Sequence, residues 1–573
     1  MMTTKKDVVR QLEQIAIYME LKGENSFKIN AFRKAAQALE TNEHTLEEIE
    51  DYTALPGIGK GTAGVIEEFI ATGESSVLKE LKEEVPKGLI PLLQLPGLGG
   101  KKIAKLYKEL GIENAEDLKL ACQNKKVQAL SGFGKKTEDK ILEALDSFGS
   151  RPDRLPLAYM LRVAFSIESE LEKMAEIERF SRAGSIRRMR ETIKDLDFII
   201  ATNSPSEVKD SLLALNGIKE VIGAGKTKVS IVLELEFDVS IDFRLVKPEE
   251  FATTLHHFTG SKDHNVRMRQ LAKERGKKIS EYGVEDTETG EVETFSTEAE
   301  FYNYFGLPFI PPEMREDGKE VEDYKEDLQI VSLEDIKGDL HMHTTWSDGA
   351  FSIEEMIEAN RQRGYKYMAI TDHSFYLKVA NGLSPERLKE QLDKIKALNE
   401  KYDDITILAG VEMDILPDGS LDYDDELLEQ MDIVIASIHS AFSQPKKKIM
   451  ERLGTALRNK NVDIIAHPTG RKIGKRDGYE VDMEDLIKLA KETNTVLELN
   501  SNPNRLDLNA EYVKMAQDEG VHLVINTDAH HTKELAYMGI GVSTAKKGWI
   551  KRDTVINTWE TDKLLDFLKN RHQ

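Results

Sequence analysis

The stretch Gly338-Asp-Leu-His-Met-His-Thr-Thr-Trp-Ser-Asp-Gly349 decides the fold of the C-terminal part of this 573-residue chain. Six later segments repeat its form: Ala369-Ile-Thr-Asp-His-Ser374, Leu408-Ala-Gly-Val-Glu-Met-Asp414, Ile435-Ala-Ser-Ile-His-Ser440, Ile464-Ile-Ala-His-Pro468, Leu497-Glu-Leu-Asn-Ser501 and Val524-Ile-Asn-Thr-Asp-Ala-His530. Most open on a short apolar, often β-branched run, the mark of a buried parallel strand. Most then deliver His, Asp or Glu where the strand stops. Helical patterns such as Ile353–Arg363, Pro385–Lys401 and Met483–Thr493 separate them. Strand–helix alternation of this kind builds a β/α barrel with its site at the C-terminal strand ends. The candidate ligands are His341, His343, Asp348, His373, Glu412, His439, His467, Asp528 and His530. They include six of the chain's 13 histidines. Scattered core or surface histidines explain any single one of them, but not a whole set placed at strand ends. Imidazole and carboxylate without thiolate suit Zn²⁺, Mn²⁺ or Fe²⁺. The set is too large for one metal, so a cluster of about two or three ions is expected; paired metals activate a water and stabilise both oxygens of an in-line displacement at phosphorus.

The order HxH…SDG, TDH, E, H, HP, DAH resembles the PHP (polymerase and histidinol phosphatase) phosphoesterase domain, over residues 338–573. The resemblance implies a seven-stranded, distorted TIM-like barrel holding a cluster of Mn²⁺ and/or Zn²⁺ ions.

Elsewhere the composition mainly excludes. No apolar run approaches a membrane span, and the N-terminal residues MMTTKKDVVRQLEQ lack the apolar core of a signal peptide. The single cysteine, Cys122, rules out an internal disulfide framework, so a reducing cytoplasm is expected. The net charge of −23 argues superficially against nucleic acid, yet residues 281–337 alone carry −14 and residues 150–280 carry +3. An acidic segment thus supplies much of the imbalance, and local basic patches remain available to phosphates.

In the N-terminal half, three Gly turns recur: Leu55-Pro-Gly-Ile-Gly-Lys-Gly61, Leu95-Pro-Gly-Leu-Gly-Gly-Lys101 and Leu130-Ser-Gly-Phe-Gly-Lys-Lys136. Each leads into a helical pattern. Glycine lets the backbone approach a ligand closely, and the free N–H groups of a helix start favour an anion. The turns resemble the helix–hairpin–helix module, which grips DNA phosphates without reading sequence. That likeness implies DNA contacts at Gly57, Gly59, Gly97, Gly99, Gly132 and Gly134. Any αα-hairpin also uses Gly, so one such turn alone signals little.

A different pattern begins near Arg151. Phe180-Ser-Arg-Ala-Gly-Ser-Ile-Arg-Arg188 precedes Ile193-Lys-Asp-Leu-Asp-Phe-Ile-Ile200, and Val239-Ser-Ile-Asp-Phe-Arg244 follows. Asp195 and Asp197 alternate along a strand and project from one face; Asp242 can join them from a neighbouring strand. Three such carboxylates can hold two Mg²⁺ ions. Gly184 and Ser185, before a basic pair, can wrap a triphosphate. A lone DxD is common on solvated edges, but these aspartates sit within apolar strands, where an unpaired carboxylate is costly.

GSIRR with DLD resembles the nucleotidyltransferase superfamily and, more narrowly, the family X DNA polymerases. Phe258-Thr-Gly-Ser261 and Asn265-Val-Arg-Met-Arg269 resemble that family's nucleotide-selection region. The resemblance implies catalysis and Mg²⁺ or Mn²⁺ binding by Asp195, Asp197 and Asp242. It implies triphosphate contacts at Gly184, Ser185, Arg188 and Arg154, a sugar pocket at Phe258 and Gly260, Asn265 at the incoming base and Arg269 at the template. With the PHP-like barrel, nearly all of the chain resembles the bacterial family X polymerases.

Two departures stand out. His257-Phe258 replaces the Tyr-Phe of eukaryotic relatives, which bears on ribonucleotide exclusion. Val65 falls where lyase-active relatives carry a Schiff-base lysine, with Lys60 nearby. A first domain that binds a gap's 5′-phosphate without strong deoxyribose-phosphate lyase activity is therefore expected.

The expected organisation is multidomain. Residues 1–150 form an all-α helix–hairpin–helix region, 151–312 an α/β nucleotidyltransferase palm with thumb, 313–337 an acidic linker, and 338–573 the barrel. The expected function is a template-directed polymerase that fills short gaps in base excision repair. It acts as a monomer on gapped or primed duplex DNA with dNTPs, with a metal-dependent 3′-5′ exonuclease in the barrel. The resemblance also allows cleavage at abasic sites. Arg471, Lys472, Lys475 and Arg476 either guide the DNA backbone to the barrel or form a solvated charge run. The rivals are a DNA-binding nuclease with a non-catalytic palm, a small-molecule phosphatase, and a template-independent nucleotidyltransferase.

Overall fold

A computed structural model describes residues 5–40, 46, 49, 51–93, 95, 98–147 and 154–570. The chain divides into two compact units, one formed by the N-terminal helices together with residues 344–352 and 377–382, the other by the palm, the thumb and the rest of the barrel.

The N-terminal unit is helical, from Lys5–Lys22 and Ser26–Glu40 to Lys135–Ser147. Leu12, Ile15, Ala35, Leu39 and Ile66 centre one apolar cluster. Leu89, Leu92, Ile103, Leu106 and Ile141 centre a second. Each Gly turn is anchored by its apolar residue: Ile58, Leu98 and Phe133 are buried, while Gly57, Gly59, Gly99, Gly132 and Gly134 lie exposed beside them. Gly57 needs its glycine, since it adopts φ +103° under the carbonyl of Lys34. Gly97 lies outside the described residues.

The palm is a five-stranded sheet. Its strands are β1 (Arg179–Ala183), β2 (Leu196–Ala201), β3 (Ile218–Ala224), β4 (Lys228–Leu233) and β5 (Val239–Val246). The spatial order is β1-β2-β5-β4-β3, with β2 and β5 parallel. In β5, Val239, Ile241, Phe243 and Leu245 are buried on one face, which leaves Asp242 and Arg244 on the other. Helix Leu157–Leu171 covers the apolar face through Met160, Leu161, Ala164 and Ile167. The thumb packs Phe251–Thr259, Lys262–Glu274 and Glu298–Tyr304 with a small three-stranded sheet around Phe301, Tyr302 and Phe305.

The stretch expected as an acidic linker is packed on both neighbours. Met314, Arg315, Glu320 and Val321 are buried, the two apolar ones in the thumb core. The buried Arg315 guanidinium is neutralised by Glu298 at 2.7 Å. Val331 N–H donates to Ile550 O at 2.9 Å on the barrel side.

The barrel comprises β6 (Gly338–Asp339), β7 (Tyr367–Ile370), β8 (Thr406–Asp414), β9 (Ile433–Ser437), β10 (Ile464–Ile465), β11 (Val496–Asn500) and β12 (Leu523–Asn526), each paired in parallel with the next. A bridge from Met342 to Ala529, with His343 N–H on Ala529 O at 2.9 Å, joins the first strand to the last. The carboxyl ends of the strands thereby face one mouth.

Palm and barrel pack against each other. Leu506 and Ile540 of the barrel belong to the palm's apolar cluster, and Ile473 and Tyr537 pack against it. Arg471 grips Glu191 of the palm bidentately at 2.7 and 3.1 Å.

Candidate active sites

At the barrel mouth the predicted ligands converge. His341 ends the β6 segment, Glu412 lies in β8, His439 follows β9, His467 follows β10, and Asp528 and His530 follow β12. Potential ligand atoms lying within 4.8 Å of one another define three groups: His341, His343, Glu412 and Asp528; His343, Asp348, His373 and His530; and His373, Glu412 and His439. His467, outside these groups, approaches Glu412 at 3.0 Å. Glu412 is the hub, with His341, His343, His373 and His439 at 3.4, 3.5, 2.9 and 3.2 Å.

The donor set fits metal ions. His341 Nε2, His343 Nε2 and Glu412 Oε2 are sealed from solvent and make no hydrogen bond. Their N···O separations, and those to Asp528, run from 3.2 to 3.6 Å. Two donors about 2.1 Å from a tetrahedral ion stand about 3.4 Å apart. His467 (φ +28°) and Asp528 (φ +53°) hold backbone conformations that non-glycine residues seldom adopt, the kind of local cost that clusters at functional sites.

The electrostatics follow from burial and like charge. Burial, with His530 and His373 beside it, lowers His343 to about 3, leaving a neutral ring. Burial opposes charge on Glu412 too, but His439, His373 and His341 hold it well below the usual carboxylate range. His439 rises to about 10 against its burial, held by Glu412 and Asp414.

Sequence reasoning missed the layer behind these ligands. Glu498, fully buried in β11, contacts His341 Nδ1 at 2.7 Å and accepts from His467 N–H at 2.8 Å and Asn526 Nδ2 at 3.1 Å. Asn500 donates to Asp528 at 3.0 Å, and Asp414 lies 3.3 Å from His439 Nδ1. A carboxylate inside the apolar run Leu497-Glu-Leu-Asn-Ser501 was the available signal, the same one that exposed Glu412. Of the basic run after His467, Arg471 is engaged by Glu191 and by the carbonyls of Arg505 and Leu506. Lys472 and Lys475 are exposed. Arg476 lies 4.0 Å over the Phe442 ring, and Arg505 approaches Asp528 at 3.7 Å.

In the palm, register sets Asp197 of β2 directly beside Asp242 of β5, and Asp195 sits just before β2. Burial, then the charges of Asp242 and Asp195, raise Asp197 to about 6. Asp242 is held by Lys228 at 2.7 Å and by the Ser230 hydroxyl at 2.6 Å. Gly184 stands at φ +61°, and a Cβ there would collide with Asp197 Oδ2. This carboxylate face with its glycine cradle suits hard divalent cations.

The basic pair divides its work. Arg187 ties palm to thumb through Thr259 Oγ1 at 2.7 Å and Glu298 at 2.5 Å. Arg188 instead runs beneath Gly260, donates to Thr259 O, and keeps its buried Nε without a hydrogen-bond partner. Arg154 donates to Thr192 Oγ1 at 3.0 Å, and Ser185 is half-buried in the turn after Gly184. Arg244 covers the Phe258 ring at 4.5 Å, Asn265 Nδ2 donates to His257 O at 2.7 Å, and Arg269 is exposed.

Known proteins match every part of this layout. A helix-hairpin-helix domain model matches residues 3–75 and a SAM-like helix-hairpin-helix tandem residues 89–147. A DNA polymerase beta thumb model matches residues 254–316 and a PHP domain model residues 339–502. The combination defines a family X type of polymerase fold joined to a PHP barrel. The DNA polymerase/3'-5' exonuclease PolX of Bacillus subtilis (strain 168) is 62% identical over 565 residues, covering 99% of both chains. The chain belongs to this PolX family. A probable phosphatase of Thermoanaerobacter sp. (strain X514) is 30% identical over 244 residues, 41% of this chain and 94% of that one. A probable phosphatase of Shewanella sediminis (strain HAW-EB3) is 28% identical over a similar span.

Proposed function

We propose that the chain is a DNA-directed DNA polymerase that fills short gaps in base excision repair and carries a 3′-5′ exonuclease in its barrel. The observation that carries this reading is the presence of two separate acidic centres in one chain, Asp197 beside Asp242 under Gly184, and Glu412 ringed by histidines. Asp195, Asp197 and Asp242 would hold Mg²⁺ or Mn²⁺. The nine barrel residues would hold two or three Mn²⁺ and/or Zn²⁺ ions. Bound there, such ions supply Lewis acidity and activate the attacking oxygen.

The chain's own groups do the rest. Arg188, Arg154, Ser185 and the Gly184 turn bind and neutralise the triphosphate. Lys228 gives up Asp242 as the site fills, which frees that carboxylate toward the primer 3′-OH. Phe258 and Gly260 line the sugar pocket, Asn265 meets the incoming base and Arg269 the template. In the barrel, Lys472, Arg476 and Arg505 draw the phosphate backbone of a DNA 3′ end toward Glu412, and cleavage at abasic sites uses the same centre. The exposed Gly57, Gly59, Gly97, Gly99, Gly132 and Gly134 edges grip DNA phosphates. Val65, which stands where lyase-active relatives carry the Schiff-base lysine, is a buried core residue, and the first domain binds a gap's 5′-phosphate without strong lyase activity. Borohydride trapping of an abasic substrate by the full chain would overturn that point. Among the described residues no helix is long and apolar enough to cross a membrane; a cytoplasmic monomer completes the reading.

The test is one incubation with Mn²⁺ and a 5′-labelled primer on a gapped duplex, with and without the complementary dNTP. One-nucleotide extension with it and stepwise shortening without it are expected. Asp197→Ala removes only the first activity and His341→Ala only the second. Shortening without extension means that the palm is a scaffold. Phosphomonoester hydrolysis without DNA degradation makes the barrel a small-molecule phosphatase. Equal addition to a single strand makes the palm a template-independent transferase.

A further inference from the structure

Lys547 ends a barrel helix, Met538–Lys547, yet its ammonium reaches Glu316, a carboxylate that also faces Arg188 and Arg190 of the palm. It donates to Glu316 Oε1 at 3.0 Å. The other oxygen of Glu316 accepts from Arg190 at 2.9 Å. Arg188 Nε waits 3.8 Å from Oε1, the oxygen that Lys547 occupies, and it is the atom that makes no hydrogen bond. Three cations thus share one carboxylate. Glu316 is fixed from behind, since the Ser261 hydroxyl donates to its backbone carbonyl at 2.6 Å. The helix is fixed too, for Ser543 donates to Glu313 at 3.0 Å. Burial lowers the Lys547 pKa, while Glu316 favours its charged form.

We propose that Lys547 is a positioning residue of the polymerase centre, supplied by the other catalytic domain. By holding Glu316 Oε1, it keeps that oxygen from hydrogen-bonding Arg188 Nε and leaves this donor to the triphosphate. Without Lys547, Glu316 Oε1 closes on Arg188 Nε, and the pocket also loses a positive charge. Arg188 is then retained by a carboxylate when a nucleotide arrives. The inference rests on the reading of Arg188 as a triphosphate ligand.

The experiment measures single-nucleotide gap filling at varied dNTP by the full-length protein, with exonuclease rate on single-stranded DNA as control. Lys547→Met is expected to raise KM for dNTP about tenfold with kcat changed far less. The exonuclease rate stays unchanged. Lys547→Arg restores KM. Glu316→Gln removes the competing charge, so adding Lys547→Met to it raises KM little further, a non-additivity that independent sites do not show. An unchanged KM in Lys547→Met, or Lys547→Arg as impaired as Lys547→Met, overturns the proposal. So does an equal loss of both activities, or a Lys547→Met effect undiminished beside Glu316→Gln. Arg188→Ala separates the two levels. If it leaves KM unchanged, the triphosphate reading fails. If it raises KM where Lys547→Met does not, only the role of Lys547 fails.

Discussion

Replacing Glu498 by Gln tests the barrel site at the layer that holds it. Four donors converge on this carboxylate: His341 Nδ1 at 2.7 Å and Asn526 Nδ2 at 3.1 Å on one oxygen, His467 N at 2.8 Å and Asn500 Nδ2 at 3.4 Å on the other. His341 presents Nε2 to the cluster, so Nδ1 carries the proton. A glutamine has one acceptor oxygen, and either orientation sets its NH₂ against two donors, one of them an immovable ring or backbone N–H. Leaving such a buried donor unsatisfied costs about 1–3 kcal/mol. Loss of a group that orients a metal-binding histidine typically costs about 10–100-fold in metal affinity or activity. The two estimates agree, and the added repulsion places the expected loss toward the upper end. The assay follows shortening of a 5′-labelled single strand over a Mn²⁺ titration, with extension on a gapped duplex as internal control. Exonuclease activity should fall, recover in part at high Mn²⁺, and leave extension intact. A rate within about twofold of the parent at limiting Mn²⁺ would refute the orienting role, and an equal fall in extension would assign Glu498 to folding.

Three further outcomes follow from the geometry. Gly184→Ala drives a methyl into Asp197 and strains a left-handed turn, so extension should drop at least about 100-fold with exonuclease rate preserved, read in the same incubation. Cys122 is buried, and burial pushes its thiol up to about 12; iodoacetamide at pH 8 should label it only after denaturant is added. Burial raises Glu320 from 4.5 to about 7. The folded chain therefore keeps a proton there that the unfolded chain releases, and this contribution to stability is present below about pH 4.5 and lost as pH rises through about 7. His264, 2.6 Å away, has its own pKa lowered by burial. Relative to Glu320→Gln, the parent's Tm should decline between pH 5 and 8; parallel curves would contradict the shift.

Much of the barrel was legible because its information is local. An apolar run ending in His, Asp or Glu places that group at a strand's carboxyl end, and closure of the sheet does the gathering. The palm carboxylates were legible likewise, since Asp197 and Asp242 each stand within a strand of apolar residues. What escaped depends on partners distant in the chain. Glu498 reads as a strand residue until His341 stands beside it. The different fates of Arg187 and Arg188 depend on Glu298 and Glu316. Arg471 belonged to a plausible phosphate-guiding run until Glu191 claimed it. The acidic segment reads as a linker ordered in part against both neighbours, and Met314 and Val321 are the residues that seat it in the thumb core.

The shared core of Leu506 and Ile540 with the palm, clamped by Arg471 on Glu191, bears on how a DNA end passes between the two centres. A protein whose catalytic domains swing can ferry a primer terminus from one to the other. Here palm and barrel share a core, and opening the distance between the two workplaces would mean breaking it. The traveller is the DNA. Shortening then becomes a question of how readily the terminal base pairs fray and how long the duplex stays engaged. Frayed, mispaired or A·T-rich ends are then expected to reach the barrel first, and a trap of competing DNA is expected to interrupt the transfer without touching either chemistry.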